Sequence, residues 1–322
     1  MVFLSGVLAS GVFAAGVFAA DFGGVGGRPQ HPDPAVPHSD QWFIYTINPG
    51  ESKDDAVVVQ NNDDKPVEIM LYATDSTPST DGGFALKQMV EPKTGVGSWI
   101  TLSKDRITLA AHESVAVPFR INVPKDSSVD VGEHSGGILI QKVQKEEASP
   151  TGGMQLLTRV GVRVYITIPG DIIKKLAIDQ LTLDYNSQNR TYTANITIKN
   201  LGNVSQDVVI DTTVNNALPW LGWFFKNFPL KNQRNFQVLR DTSFTSHFEF
   251  PRPLFGKFQA LATATYDDGK QVLMASPAII TVMPEKNVII LALLVLASIA
   301  FFVALAVVKK YKKRPRRSKK RS

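Results

Sequence analysis

The residues of this 322-residue chain whose types could hold a metal or move a proton are five histidines and three pairs of adjacent aspartates. The histidines are His31, His38, His112, His134 and His247, and no two stand in the His-Glu-x-x-His spacing that would put two imidazoles on one helix face toward zinc. Glu133 precedes His134, but neighbours on a strand point to opposite faces and cannot share a site through their side chains. Asp54-Asp55, Asp63-Asp64 and Asp267-Asp268 lack the alternating acid spacing that aims oxygens at one calcium ion. Each pair falls where a turn is wanted, and Asp268-Gly269 between Tyr266 and Val272 reads as a hairpin.

Cysteine is absent, which excludes disulfides, thiolate metal sites and thiol catalysis together. There is no nucleophile elbow, P-loop or dinucleotide fingerprint, and Gly23-Gly24-Val25-Gly26-Gly27 precedes no helix that could cradle a phosphate. The expectation is a protein that is not an enzyme, with no catalytic residue, no metal and no cofactor.

The other concentrated chemistry is aromatic. Leu218 to Pro229 holds two of the four Trp and three Phe, namely Trp220, Trp223, Phe224, Phe225 and Phe228. In one account alternate members fill a core, each buried ring contributing about 2 to 3 kcal/mol. In the other they form a surface patch for a partner protein, a membrane or a sugar.

The elements that must position these residues begin with targeting segments. Residues 1–19 are uncharged, with Val17 and Ala19 placed for cleavage after Ala19, as in a signal peptide. The usual basic n-region is missing, so either the true start lies upstream of Met1 or the signal is atypical, and an uncleaved anchor is the alternative. Residues 20–40, rich in Gly and Pro with almost no large apolar side chain, read as a flexible linker.

Val288 to Val308 is a 21-residue apolar run broken only by Ser298. At about 1.5 Å per residue it matches the roughly 30 Å hydrocarbon core of a bilayer. The tail after it, 309–322, holds ten Lys or Arg, so a chain of net charge +6 leaves −4 for residues 1–308. The basic character belongs to the tail and not to a nucleic-acid-binding face. Lys309, Lys310, Lys312, Lys313 and Arg314 read as a cytoplasmic stop-transfer cluster, which faces the body of the chain outward as a single-pass type I protein of the cell membrane. The sequence Val282-Met283-Pro284-Glu285-Lys286-Asn287 does not match the Leu-Pro-x-Thr-Gly signal of sortase-anchored proteins, so retention in the membrane is expected.

Between linker and helix, short runs rich in β-branched and aromatic residues alternate with Asn, Asp, Gly and Pro, without helical periodicity. Eight such runs lie in 41–172 and seven in 173–283. The expected fold is all-β, two tandem Ig-like β-sandwich domains followed by one C-terminal transmembrane helix. Two sets of ordered signposts support duplication. Val57 to Asn61 precedes a polar turn, as Ile196 to Asn200 does. Ser114 to Val123 runs into Pro124 and then a strand opened by Gly132, as Ser243 to Phe250 runs into Pro251 and a strand opened by Gly256. Asn61 and Asn200 are expected to serve their turns, since an Asn side chain bonds nearby backbone groups.

With Phe43-Ile44-Tyr45, Asn48-Pro49-Gly50 and Gly132-Glu133-His134-Ser135-Gly136-Gly137-Ile138 in the first sandwich, a second sandwich, a single span and a basic tail, the chain resembles the WxL-interacting proteins of Gram-positive bacteria. That resemblance implies a first domain that contacts peptidoglycan and a second that binds WxL surface proteins. The function expected is a cell-surface binding module whose partners are cell-wall polymer or other surface proteins, with no nucleic acid. The alternative is an accessory extracytoplasmic subunit of an envelope transport or secretion complex.

Overall fold

The computed structural model describes residues 20–22, 24–80, 82–126, 129–143, 159–218 and 228–312. The chain forms two compact units. The first takes in residues 1–176 together with 199–207 and 237–244, and the second takes in 177–198, 208–236 and 245–322. This division differs from a single cut at 172, because two short segments from beyond that point are counted with the first unit.

The first sandwich contains β1 (Ala20–Phe22), β2 (Val25–Pro29), β3 (Phe43–Thr46), β4 (Ser52–Asn61), β5 (Val67–Pro78), β6 (Phe84–Leu86), the one-turn helix α1 (Val96–Trp99), β7 (Ile100–Leu102), β8 (Arg106–Leu109), β9 (Ser114–Asn122), β10 (Gly132–Lys142) and β11 (Arg159–Ile168). One sheet has the order β1-β2-β4-β9-β7 and the other β3-β11-β10-β5-β6, with β8 also on β5. Pairing is antiparallel except for β3, which runs parallel to β11. Period-two alternation builds the core: Val57, Val59, Val117, Phe119 and Ile121 from one sheet meet Ile69, Leu71, Ile138, Ile140 and Val162 from the other, with Val96 and Trp99 closing one side. Each large side chain so buried contributes about 1.5 to 3 kcal/mol.

The linker reading of 20–40 is corrected here. β2 pairs with β4 over Val25 to Pro29, and Val25 is fully buried in the core. The glycines that suggested flexibility are needed for close approach, since a Cβ on Gly27 would lie 2.3 Å from Ile140 Cδ1 and 2.9 Å from Val162 Cγ2. The run of weak side chains is thus a strand pressed against the facing sheet.

The second sandwich contains β12 (Leu176–Asn186), β13 (Thr191–Asn200), β14 (Gln206–Asn216), β15 (Leu230–Val238), β16 (Ser243–Pro251), β17 (Gly256–Tyr266), β18 (Gln271–Met274) and β19 (Ala278–Val282). Its sheets are β12-β13-β16 and β15-β14-β17-β18, with β19 also on β17. The last apolar run of this set, Val272 to Val282, forms two strands interrupted around Pro277. The core gathers Ala194, Val214, Phe250, Phe258, Ala260 and Val282, with Phe228, Leu230 and Phe248 packed on it. The alanines on the inner face of β17 make it a thinner core than the first.

α2 (Lys286–Lys312) follows β19 after three residues. From Ile289 through Lys309 every side chain is exposed, although the sequence carries no charge from Asn287 to Val308. Ser298 Oγ donates to Leu294 O at 2.8 Å, so even the one polar side chain of the run is satisfied inside the helix. An apolar helix of this length, with no protein against it, is long and apolar enough to cross a bilayer.

Candidate binding surfaces

The strongest candidate lies on the first sandwich, where the chain leaving β2 crosses over the start of β3 and the first half of β4. It is a cavity of about 260 Å³ walled by Pro29, His31, Trp42, Tyr45, Lys53 and Asp55 among others. Asp55 is its fixed point. Its carboxylate accepts the Tyr45 hydroxyl at 2.5 Å, the Ala56 amide at 2.7 Å and the His31 ring at 2.8 Å. Burial first, and then the bond to Asp55, hold the Tyr45 phenol protonated far above its usual range. The phenol proton is therefore committed to Asp55, and the group orients rather than reacts.

Aromatic faces flank this polar floor. The Lys53 ammonium lies 5.8 Å from the Tyr45 ring centroid. Trp42 touches the tilted rings of His38, at 4.8 Å, and Tyr165, at 5.7 Å. The Arg163 guanidinium sits 5.0 Å from Trp42 and 4.5 Å from Phe84, so one cation contacts two rings. Rigid ring faces beside oriented hydroxyl, imidazole, carboxylate and ammonium groups suit a hydroxyl-rich ligand, which stacks its apolar face and hydrogen-bonds its rim.

A second concavity in the first unit, about 350 Å³, is bordered by Ser76, Glu133, His134, Arg240 and Thr242. Arg240 is its hub, donating to the Asp130 carboxylate, to Glu133 O at 3.3 Å and to Val131 O at 3.5 Å, with His134 Nε2 3.3 Å away. Ser205 Oγ donates to the Glu133 carboxylate at 2.5 Å. Burial pushes Glu133 above the usual carboxylate range, and its bonds from Ser205 offset that only in part. His134 rests against Trp99, with ring centroids 5.0 Å apart. Each of these groups is consumed by another protein group.

The other sequence-flagged residues have local partners. His112 pairs with Asp64 at 2.9 Å, Asp63 with Lys142 at 2.5 Å, Asp54 with Arg120 at 3.5 Å, and His247 with Asn195 at 2.6 Å. Asp267 and Asp268 both have positive φ in the turn between β17 and β18. Among the described residues no three His, Asp or Glu converge to hold a metal ion. Trp220, Trp223, Phe224 and Phe225 lie outside the described residues, as do Lys313 and Arg314. Phe228 packs on Phe258 at 4.8 Å, within the second core. Lys309, Lys310 and Lys312 lie in the last turns of α2.

Sequence reasoning missed the cavity on the first sandwich. His31 and Asp33 stand in the segment 20–40 that reads as a linker, and Trp42 directly precedes Phe43-Ile44-Tyr45 with no motif of its own. The one available signal was the crowding of His31, Asp33, His38 and Trp42 ahead of Phe43-Ile44-Tyr45, since polar and aromatic residues gathered in a connection are a mark of binding loops.

No family model matches the chain, and no curated protein matches it. Among solved structures it is similar to the class 5 fimbriae chaperone CfaA, with 13% identity over 76% of this chain and 97% of that one at a TM-score of 0.37. It is similar also to the YadV chaperone, with 9% identity over 80% and 100% at 0.38. A third likeness is to a chain of the CsuC-CsuE pre-assembly complex of Acinetobacter baumannii, with 12% identity over 73% and 94% at 0.36.

Proposed function

We propose that this chain is a membrane-anchored, extracytoplasmic binding protein of the WxL-interacting type. α2 is its membrane span, the basic tail is cytoplasmic, and the sandwiches are displayed outside to contact envelope glycan and other surface proteins. The observation that carries the glycan part is the Trp42–Tyr45–Asp55 cavity: aromatic rings beside polar groups that Asp55 orients. The exposed apolar α2 supports the anchored part.

The test is pelleting of a soluble ectodomain, residues 20–283, with purified cell walls, the start at 20 retaining β2. The wild-type domain is expected to pellet and Trp42→Ala to remain largely in the supernatant, because stacking on one aromatic face contributes roughly 1 kcal/mol or more. Equal pelleting of the two proteins would remove the cavity from the wall contact. Failure of both to pellet would leave protein recognition as the role of the sandwiches.

A further inference from the structure

The end of the second sandwich from which α2 departs carries a cluster of charged, apolar and aromatic groups, most of them exposed, all within the second unit. Glu285 stands immediately before the helix, and its carbonyl accepts the Val288 and Ile289 amides at 2.9 and 3.1 Å, which makes it the N-terminal cap. Its carboxylate binds two arginines at once, Arg190 from the turn between β12 and β13 and Arg252 from the loop after β16. Arg252 also donates to Met283 O at 2.9 Å, and Arg190 O accepts the Arg252 amide at 3.0 Å. Two sandwich loops are therefore tied to the residue that caps the helix of the span. Wherever the helix enters the bilayer, Arg190 and Arg252 stand at its surface.

Two arginines against one carboxylate leave a surplus of positive charge, presented chiefly by Arg190, 63% exposed, since Arg252 is 17% exposed, and exposed Lys286 adds to it. Around them stand exposed apolar and aromatic side chains: Leu254 at 64%, Met283 at 72%, and Tyr185 at 45% exposure, one side of whose ring touches Tyr192 at 4.9 Å. Tyr185 lies over the Arg252 guanidinium at 5.8 Å. Arginines with a tyrosine and a protruding leucine form the composition that binds a membrane interface, with cations on phosphates, the tyrosine at headgroup depth and the leucine below it.

We infer that this rim, Arg190, Arg252, Lys286, Tyr185, Leu254 and Met283, is a lipid-headgroup docking surface that seats the second sandwich on the outer face of its own membrane. It rests on the reading of α2 as a span. Continuity with that helix selects the occupant: the rim joins it through three residues and shares Glu285 with its first turn. The sandwich is then held upright by the bilayer as well as by its tether, with the turn at Asp267 to Lys270 pointing away, about 35 Å up the length of β17.

The absence of cysteine allows single labels without background. Full-length chains carrying a fluorophore at Leu254→Cys, Lys270→Cys or Ser298→Cys are reconstituted in phosphatidylcholine vesicles containing phosphatidylglycerol and lipid spin-labelled either near the headgroup, to read positions 254 and 270, or at the end of the acyl chain, to read position 298. The label at 254 is expected to be quenched and that at 270 not, and adding Arg190→Glu is expected to remove at least about half of the quenching at 254. Quenching at 298 with none at 254 would overturn the docking surface while leaving the span intact. Absence of quenching at 298 as well would overturn the span itself. Quenching at 254 unchanged by Arg190→Glu would remove the arginine–phosphate contact from the proposal.

Discussion

Asn61 and Asn200 make the same three hydrogen bonds at the ends of corresponding strands in the two sandwiches. Asn61 Nδ2 donates to Lys65 O at 2.8 Å and Ala110 O at 2.7 Å, and its Oδ1 accepts the Asp63 amide at 3.1 Å. Asn200 Nδ2 donates to Val204 O at 2.9 Å and Val238 O at 3.1 Å, and its Oδ1 accepts the Gly202 amide at 2.9 Å. Both side chains are buried, so the amide stands in for a missing strand neighbour, closing its own turn and stitching it to a distant segment. Replacing either Asn by Asp keeps the acceptor but removes the donor to two buried carbonyls. Each such variant is expected to lose about 2 to 4 kcal/mol in denaturant unfolding, whereas a residue serving only its local turn would cost well under half of that.

The likeness of the two sandwiches was legible because these asparagines, and the glycines opening β10 and β17, recur in order. Gly132 and Gly256 do share one backbone state, at φ 115° and 122°. Strands such as β9, with its inward Val117, Phe119 and Ile121, were legible from alternation alone. The Trp42–Arg163–Phe84 stack was not, because its members come from three distant segments and only the sheet order brings them together. β2 was hidden for a different reason: its fitness for the sheet lies in having almost no side chain at Gly26 and Gly27, which in a sequence looks the same as slack.

Gly27 therefore gives a direct test of that correction. Gly27→Val forces a branched side chain into Ile140 and Val162 and is expected to cost about 2 kcal/mol or more through overpacking. An ectodomain started at residue 40 would expose the β4 edge and remove Val25 from the core. It is expected to melt well below the form started at 20 and to aggregate on heating. Equal melting temperatures for the two forms would return 20–40 to the status of a linker.

The Gly136-Gly137 pair is set by packing and not by turn geometry. A Cβ on Gly136 would approach Thr74 O to 2.6 Å and Val96 Cβ to 2.9 Å, and one on Gly97 would approach the Thr74 carbonyl carbon to 2.5 Å. α1 is seated there by Asp75, whose buried carboxylate accepts the amides of Thr94 at 2.7 Å and Gly97 at 2.8 Å. Gly136→Ala is expected to displace α1, lower stability by about 1 to 3 kcal/mol, and change the fluorescence of Trp99, which ends that helix. Unchanged emission with unchanged stability would show that α1 yields freely.

Glu133 makes stability depend on pH in an unusual direction for a carboxylate. Its folded-state pKa lies above the ordinary value, with burial the main cause, so the folded chain holds this proton where the unfolded chain has already released it. Its contribution is complete below the ordinary Glu pKa of about 4.3 and is lost as pH rises through the raised value. Glu133→Gln keeps an oxygen to accept the Ser205 hydroxyl but cannot ionise. Thermal melting of residues 20–283 from acid to neutral pH is expected to show the variant gaining on the wild type as pH rises through that window. The opposite trend would mean that the ionised carboxylate, hydrogen-bonded by Ser205 and favoured by the nearby charge of Arg240, is the native form.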